Sequence, residues 1–247
     1  MKKKSGKIKI GGNNNSLPSG IPGLDEILNY GFRKKSSIVV TGESGTGKSI
    51  FALQFIIEGA KNGEPGLYIT TEETADSIEE YAQGLGFGIE DLEKKGLLFI
   101  LEQRPNRGRL MTIEAPIKFI QQKKIKRVVL DSLTLFEYVY SESINEYRKG
   151  VLQFLMDMKD AGITILATSE RAHTQIDNVQ YKPEDSLFEG IIMLFKIRKA
   201  AVFERAITVD KMRGQDHKLG IYPFKIKNHG ITIYPEETPF SLVNEEK

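Results

Sequence analysis

The segment Gly42–Ser49 restricts the fold of this chain more than any other part of the sequence. It reads GESGTGKS and matches the pattern GxxxxGK[ST], whose glycines let the backbone curl so that successive N–H groups point at phosphate oxygens. The apolar run Ile38–Val40 precedes it, and an amphipathic helical pattern begins near Ser49. A strand, a glycine-rich loop and a helix in this order put the positive helix N-terminus beneath a bound phosphate. The segment therefore predicts a nucleoside triphosphate site in an α/β fold.

All eight residues of this loop are candidates for nucleotide binding, and two of them have specific chemistry. Lys48 is expected to reach the β and γ phosphates, and the Ser49 hydroxyl is expected to bind Mg²⁺. The predicted cofactors are therefore a nucleoside triphosphate and Mg²⁺. The loop residues are Gly42, Glu43, Ser44, Gly45, Thr46, Gly47, Lys48 and Ser49.

Apolar strand-like runs alternate with amphipathic helical patterns from residue 17 to about residue 189. The clearest helical patterns lie at residues 50–60 and 144–158. Strands that alternate with helices predict a mostly parallel sheet that is covered by helices on both faces. The strand-like runs are Ser37–Thr41, Leu67–Thr71, Leu97–Leu101, Arg127–Asp131 and Thr164–Ser169.

The pattern changes after about residue 189, where strand-like runs follow one another with only short polar turns between them. Such a series predicts antiparallel strands that extend one edge of the sheet. The runs are Gly190–Ile197, Phe203–Met212, Pro223–Ile226 and Gly230–Tyr234.

Residues 1–16 differ in composition from the rest of the chain. Five lysines fall within the first nine residues, and a Gly-Gly-Asn-Asn-Asn run follows them at residues 11–15. Little in this stretch could form a core, so we expect a flexible Lys-rich tail at 1–16 and a single domain at 17–247. The alternative is that the tail is a basic arm that contacts nucleic acid or acidic partners.

The composition excludes several kinds of site. The absence of cysteine excludes disulfides, thiolate zinc sites and thiol catalysis, and three scattered histidines do not indicate a histidine-rich metal site. A formal net charge of +2 creates no strong field for nucleic acid or an anionic membrane. No apolar stretch approaches the ~20 residues that a membrane span needs, and no secretory signal is evident. We therefore expect a cytoplasmic protein without a membrane span.

Asp131 ends the apolar strand-like run Arg127–Asp131. In parallel sheets, ligands gather outside the carboxyl ends of the strands, which is also where the phosphate loop lies. Asp131 is therefore a candidate to hold Mg²⁺, through a water molecule, together with Ser49.

Two adjacent acids, Glu72 and Glu73, follow the run Leu67–Thr71. A carboxylate at this position could orient and deprotonate the water that attacks a γ-phosphate. An acidic first turn of the next helix, favoured by the helix dipole, would explain the same residues. The sequence leaves open which of the two is the catalytic base.

With these features in place, the chain resembles a single KaiC-like ATPase domain of the RecA/RadA superfamily, including its single-domain archaeal members. The resemblance covers nearly all of residues 17–236 and begins with Ser19–Leu28, which is similar to the family's lead into the first strand. Its most specific part is Lys211–His217, which reads KMRGQDH and is followed by Pro223-Phe224. The resemblance implies a RecA-like P-loop NTPase core, with ATP as the nucleotide.

The resemblance also implies roles for several of these residues. Glu72 and Glu73 lie where the family keeps its catalytic glutamates, and Thr168-Ser169 resembles the segment that senses the γ-phosphate. Lys211 and Arg213 would act on the nucleotide of a neighbouring subunit, which implies a homo-oligomer in the form of a hexameric ring or a filament. His217 would contact the nucleotide.

Spacing is consistent with the role of Lys211 and Arg213, because residues two apart on a strand project to the same face. Two cations held together could stabilise the charge that develops on a transferring phosphoryl group. Without the resemblance, the pair would be read as an exposed basic strand end.

The favoured function is a slow, Mg²⁺-dependent ATPase with a regulatory or signalling role, whose protein partner the sequence does not reveal. An ATP-dependent assembly switch with little turnover is the first alternative, and single-domain archaeal relatives that serve motility machinery are its precedent.

A RadA-like DNA-repair factor that binds single strands is the second alternative, and it is not favoured. The segment Arg171–Phe188, which corresponds to a DNA-binding loop in recombinases, carries two basic and three acidic residues, and Leu133–Ser143 carries no basic residue. A phosphate-binding segment should be basic. Self-phosphorylation, for which Ser186 lies in the appropriate segment, is not expected.

Overall fold

A computed structural model describes residues 15–103, 114–141, 143–171, 176, 179 and 181–242. Most of the Lys-rich tail, together with His173 and Asp177 of the loop compared above with recombinases, lies outside the described residues. The division into a tail and a single domain stays a prediction.

The described part of the chain forms one large sheet with helices on both faces and a small two-stranded ribbon. The large sheet has the strand order β11-β10-β9-β8-β3-β7-β6-β4-β5, and the ribbon pairs β1 with β2. The strands are β1 (Ser16–Leu17), β2 (Phe32–Arg33), β3 (Ser37–Gly42), β4 (Gly66–Thr70), β5 (Leu98–Glu102), β6 (Arg127–Asp131), β7 (Thr164–Glu170), β8 (Gly190–Lys199), β9 (Val202–Met212), β10 (Ile221–Lys227) and β11 (Gly230–Ile233).

The described helices follow the strands in the order expected for an α/β fold. They are α1 (Leu24–Ile27), α2 (Lys48–Lys61), α3 (Ala75–Gly84), α4 (Glu90–Lys94), α5 (Glu114–Lys123), α6 (Thr134–Val139) and α7 (Ile144–Asp160), with 3₁₀ helices at Pro183–Leu187 and Phe240–Leu242.

The sheet is parallel from β8 to β5 and antiparallel from β8 to β11. Both parts of the predicted architecture are therefore confirmed. Parallel pairing brings the carboxyl ends of β3, β7, β6 and β4 to the same edge of the sheet. We call this edge the carboxyl edge and the other the amino edge.

The central strands are buried on both faces, which explains their unbroken apolar sequence. In β6, Val129 packs into one hydrophobic cluster, beneath α2, while Val128 and Leu130 pack into the other, beneath α7. Alternate residues of a strand face opposite sides, so the middle of a strand that is covered on both sides is apolar at successive positions.

A buried arginine joins three parts of this framework. Arg127, with 0% of its surface exposed, forms an ion pair from Nε to Glu64 at 2.8 Å, and its Nη1 donates to the carbonyls of Pro18 at 2.9 Å and Phe55 at 3.0 Å. Its guanidinium also lies 4.9 Å from the centre of the Phe55 ring. The start of β6 is thereby tied to α2 and to the chain that precedes α1.

Gly59 of α2 gives Arg127 the room it needs, and this leads to a first prediction. A Cβ at position 59 would lie 2.5 Å from Cδ and Nε of Arg127. We therefore expect Gly59→Ala to lower the free energy of unfolding by about 2 kcal/mol despite the better helix propensity of alanine.

Gly84→Ala, in the last residue of α3, is the matched control because nothing lies within 4 Å of its added Cβ. It should leave stability within about 1 kcal/mol of the wild type. Urea denaturation of the three proteins measures the difference, and equal midpoints for both variants would contradict the packing described for Arg127.

Candidate nucleotide site

The loop Gly42–Ser49 connects the end of β3 to the start of α2. Gly45 and Gly47 have positive φ angles of 71° and 112°, and a Cβ at Gly47 would lie 2.9 Å from Cδ1 of Ile226. Thr46 closes the turn, because its N–H and its hydroxyl both donate to the carbonyl of Glu43, at 3.3 and 2.8 Å. The loop leaves the first N–H groups of α2 without intrahelical partners, which is the arrangement that binds phosphate.

Lys48 is the first residue of α2, and its side chain turns back over the loop. Its Nζ donates to the carbonyls of Gly42 and Glu43, both at 2.9 Å. Burial lowers the pKa of the Lys48 amine, and the nearby carboxylates of Glu170 and Asp131 oppose this shift. The ammonium group therefore lies at the mouth of the loop, where the oxygens of a bound phosphate could replace the two carbonyls as its hydrogen-bond acceptors.

Asp131 lies at the end of β6 and is held from both neighbouring strands. Tyr68 of β4 donates its hydroxyl to Oδ2 at 2.5 Å, and Thr168 of β7 donates to Oδ1. The Ser49 hydroxyl of α2 lies beside the Tyr68 hydroxyl. Burial, and then the charge of Asp131, raises the pKa of Tyr68 well above its ordinary value, which keeps its hydroxyl a donor.

Glu72 and Glu73 lie between β4 and α3, and both border the same cavity as Lys48 and Asp131. Ser132 donates its hydroxyl to Oε1 of Glu72 at 2.7 Å, and the peptide bond between Asp131 and Ser132 is cis. The helix α3 starts only at Ala75, with Thr74 as its N-cap. Neither glutamate is therefore part of the first helical turn.

A cavity of about 780 Å³ opens above these residues. Its polar floor contains Lys48, Ser49 and Asp131, and its volume is within the range of small-molecule sites. The lining also includes apolar side chains that the sequence did not predict, because they come from α2, α3, β10 and the turn after α3, and we call them the apolar wall. The wall consists of Ile50, Leu53, Tyr81, Leu85 and Ile226.

Not every predicted residue lies in this cavity. Thr168 and Glu170 line it, whereas Ser169 does not. The Ser169 side chain is 2% exposed, and alternate residues of a strand face opposite sides. Thr168 is therefore brought together with the loop and Ser169 is not.

The three residues of the KMRGQDH segment that were assigned to the nucleotide lie outside the cavity. Lys211 pairs with Ile191, and the N–H of Arg213 donates to the carbonyl of Glu189, so both lie where β8 begins at the amino edge. The phosphate loop follows β3 at the carboxyl edge, about 13 Å further along the strands. His217 also lies apart from the cavity, next to Lys218, whose N–H donates to the carbonyl of Ile27.

Lys211 and Arg213 nevertheless share one surface, although β9 ends at Met212 and Arg213 lies beyond the strand. Lys211 Nζ donates to the carbonyl of Asp185 at 3.1 Å, and Arg213 Nη2 donates to the carbonyl of Ser186 at 3.2 Å. Burial and the neighbouring guanidinium of Arg213 lower the pKa of Lys211. The 3₁₀ helix Pro183–Leu187 thus carries two cations side by side.

Comparison with known proteins identifies the family. A family model described as "ATPase: KaiC" matches residues 17–238. The chain belongs to this family. The predicted RecA-like fold and the prediction of an ATP-binding, P-loop ATPase domain of the KaiC type are therefore confirmed.

Curated relatives of this KaiC domain share about a third of its residues. The circadian clock oscillator protein KaiC of Parathermosynechococcus lividus is 33% identical over 88% of this chain and 42% of the relative. Those of Synechococcus elongatus and Parasynechococcus marenigrum are 32% and 30% identical, over 87% and 89% of this chain and 43% and 44% of the relatives. The chain thus spans less than half the length of these relatives.

Within the described part of the KaiC domain, no helix has the length and apolar character that crossing a membrane requires.

The hydroxyl of Tyr68 leads to a second prediction. Tyr68→Phe keeps the buried ring but removes the hydrogen bond to Asp131. A hydrogen bond to a charged group contributes about 1.5–3 kcal/mol, so we expect turnover to fall at least about tenfold while the fold is retained. Steady-state ATP hydrolysis measures the change. Tyr138→Phe, at an exposed position of α6, is the control and should hydrolyse ATP like the wild type.

Proposed function

We propose that this domain binds ATP with Mg²⁺ and hydrolyses it slowly, at sites that a second copy of the chain completes. The observation that carries the proposal is the separation within one chain between the phosphate loop and the pair Lys211 and Arg213. They lie at opposite edges of the sheet and neither cation lines the cavity, so we assign the pair to the nucleotide of another copy. A neighbouring copy in a hexameric ring or filament could bring the two edges together.

Mg²⁺ fits the donor groups at the carboxyl edge. Ser49 and Asp131 offer only oxygen atoms, which is the ligand type that Mg²⁺ prefers. Each carboxylate oxygen of Asp131 accepts one hydrogen bond, which fixes its direction and leaves a lone pair available. In this proposal the two residues hold the ion, which would neutralise charge on the β and γ phosphates.

The proposed hydrolysis is an in-line attack of water on the γ-phosphate. Glu72 or Glu73 accepts the proton of that water, while Lys48 neutralises the phosphate oxygens from within the chain. Lys211 and Arg213 of the neighbour stabilise the charge of the transition state. Both glutamates border the cavity, and Ser132 fixes the direction of Glu72 through a hydrogen bond. Thr168 supports the site by orienting Asp131.

The apolar wall supports a place for the adenine ring. Phosphates bound at Lys48 would leave the base near the apolar side chains of Leu53, Tyr81 and Ile226, which line the same cavity. Burial of a flat aromatic ring against such a wall adds hydrophobic binding energy without requiring a charged partner.

The shared site leads to a third prediction. Lys48→Ala should lose ATP binding, because it removes the cation of the loop. Arg213→Ala should keep ATP binding within about threefold and lose most hydrolysis, because it removes a contact to the transition state only. Fluorescent-nucleotide binding and phosphate release measure the two properties separately.

Mixed oligomers test the same arrangement directly. The double variant Glu72→Gln/Glu73→Gln lacks the base but keeps Arg213. If it is mixed one to one with Arg213→Ala, about a quarter of the sites should combine an intact base with an intact neighbouring arginine and regain activity. Wild-type turnover of Arg213→Ala alone, or no recovery in the mixture, would contradict a site shared between subunits.

An ATP-dependent assembly switch is the rival function, and a fourth prediction separates it from the ATPase. With ATP, light scattering should show an oligomer while phosphate is released at a steady, slow rate. An oligomer that forms equally with ATP and a non-hydrolysable analogue, with no phosphate release above that of Lys48→Ala, would favour the switch.

The described residues of the loop compared with recombinases do not favour the DNA-binding alternative. Arg171, the basic residue at the start of the loop compared with recombinases, is 4% exposed and forms an ion pair with Asp185. A regulatory or signalling role is proposed because curated relatives of the domain are named as circadian clock proteins.

A further inference from the structure

A buried ion pair connects the phosphate loop with the surface that contains Lys211 and Arg213. Arg171 and Asp185 have side chains that are 4% and 3% exposed, and Nη2 of the arginine donates to Oδ2 of the aspartate. Neither residue lines the nucleotide cavity. Removing two charges from water costs several kcal/mol per ion, so such a pair is weak evidence for a contribution to stability alone.

The arginine end of the pair is attached to the phosphate loop. Arg171 directly follows β7, whose residues Thr168 and Glu170 line the cavity. Its backbone N–H donates to the carbonyl of Gly42 at 3.2 Å, and that carbonyl also accepts the ammonium of Lys48. The position of Arg171 is therefore fixed by the first residue of the loop.

The aspartate end of the pair holds the 3₁₀ helix Pro183–Leu187. Oδ2 of Asp185 accepts the N–H of Lys182 at 2.6 Å, at the start of that helix. The carbonyl of Asp185 accepts Lys211, and the next carbonyl, of Ser186, accepts Arg213. The same short helix thus binds Arg171 through the side chain of Asp185 and binds the two cations through its backbone carbonyls.

We propose that Asp185, held by Arg171, is the positioning residue for Lys211 and Arg213 when these act on the nucleotide of the neighbouring subunit. This inference rests on the proposed function, because it needs the two cations to act between subunits. It adds that the phosphate loop of a chain helps to hold Lys211 and Arg213 of the same chain in place, through the contacts of Gly42, Arg171 and Asp185.

A purely structural role of the pair predicts a different behaviour in mixed oligomers. If the pair only stabilises the chain or its own nucleotide site, a neighbour with an intact base or intact cations cannot correct its loss. If the pair positions Lys211 and Arg213, its loss impairs the nucleotide site of the next subunit and leaves the chain's own phosphate loop and base intact. A neighbour that presents intact cations then corrects it.

The test uses Asp185→Asn in the full chain, alone and in one-to-one mixtures. Alone, the variant should bind ATP within about threefold of the wild type and hydrolyse it at least about tenfold more slowly. Mixed with Glu72→Gln/Glu73→Gln, it should regain activity to the same extent as Arg213→Ala does, at about a quarter of the sites. Mixed with Arg213→Ala, it should regain none, because both chains present defective cations.

Arg171→Lys is a second variant, which keeps the test decisive if Asp185→Asn does not fold. Asp185→Asn leaves a buried guanidinium without its carboxylate, which can destabilise the chain strongly. Arg171→Lys keeps the charge but loses the planar fork, so it should fold and show a smaller loss of turnover with the same pattern in the mixtures. Thermal unfolding confirms that each variant is folded, and if Asp185→Asn is not, the mixtures with Arg171→Lys decide.

Three results would overturn the inference, and they are distinguishable. Folded variants with wild-type turnover would show that the pair positions nothing. Failure of the Asp185→Asn mixture where the Arg213→Ala mixture recovers would assign the pair a role in its own subunit, while the shared site would stand. Failure of the Arg213→Ala mixture would remove the shared site itself, and the positioning role with it.

Discussion

Parallel pairing of β6 with β4 on one side and β7 on the other is the constraint on which the site depends. It brings Tyr68 and Thr168 to the two sides of Asp131, so that hydrogen bonds from both neighbouring strands orient one carboxylate. A slip of either strand by one residue would turn its side chains to the opposite face and remove the donor. The chemistry of the carboxyl edge is therefore a property of strand register, which the two hydrophobic clusters of the core maintain.

Much of the fold could be predicted from the sequence because its main elements have strong periodic or continuous apolar patterns. The run Arg127–Asp131 is β6 without change, and the run Thr164–Ser169 is one residue shorter than β7. The short elements β1, β2 and α1 were not predicted, because two to four residues are too few to show a period. Their positions depend on tertiary contacts such as the hydrogen bond from Arg127 to Pro18.

The candidate site was predictable where a motif fixes local geometry and unpredictable where distant segments meet. The phosphate loop follows from its own sequence, whereas Tyr68 looked like an ordinary strand residue, and it meets Asp131 across 63 positions of the chain. The hydrogen bond between Ser132 and Glu72 and the apolar wall of the cavity were missed for the same reason. Thr168 and Ser169 were treated alike, although adjacent strand residues face opposite sides.

The location of Lys211 and Arg213 at the edge opposite the phosphate loop gives the chain two unlike faces. An assembly in which the two cations of each copy face the phosphate loop of the next copy is head-to-tail and has a direction. In an open filament of such chains, the nucleotide of one terminal copy would lack Lys211 and Arg213 of a neighbour. At the other end, Lys211 and Arg213 of the terminal copy would face solvent. Only closure into a ring would make every subunit equivalent, and the hydrolysis rate per chain would then report whether the ends have joined.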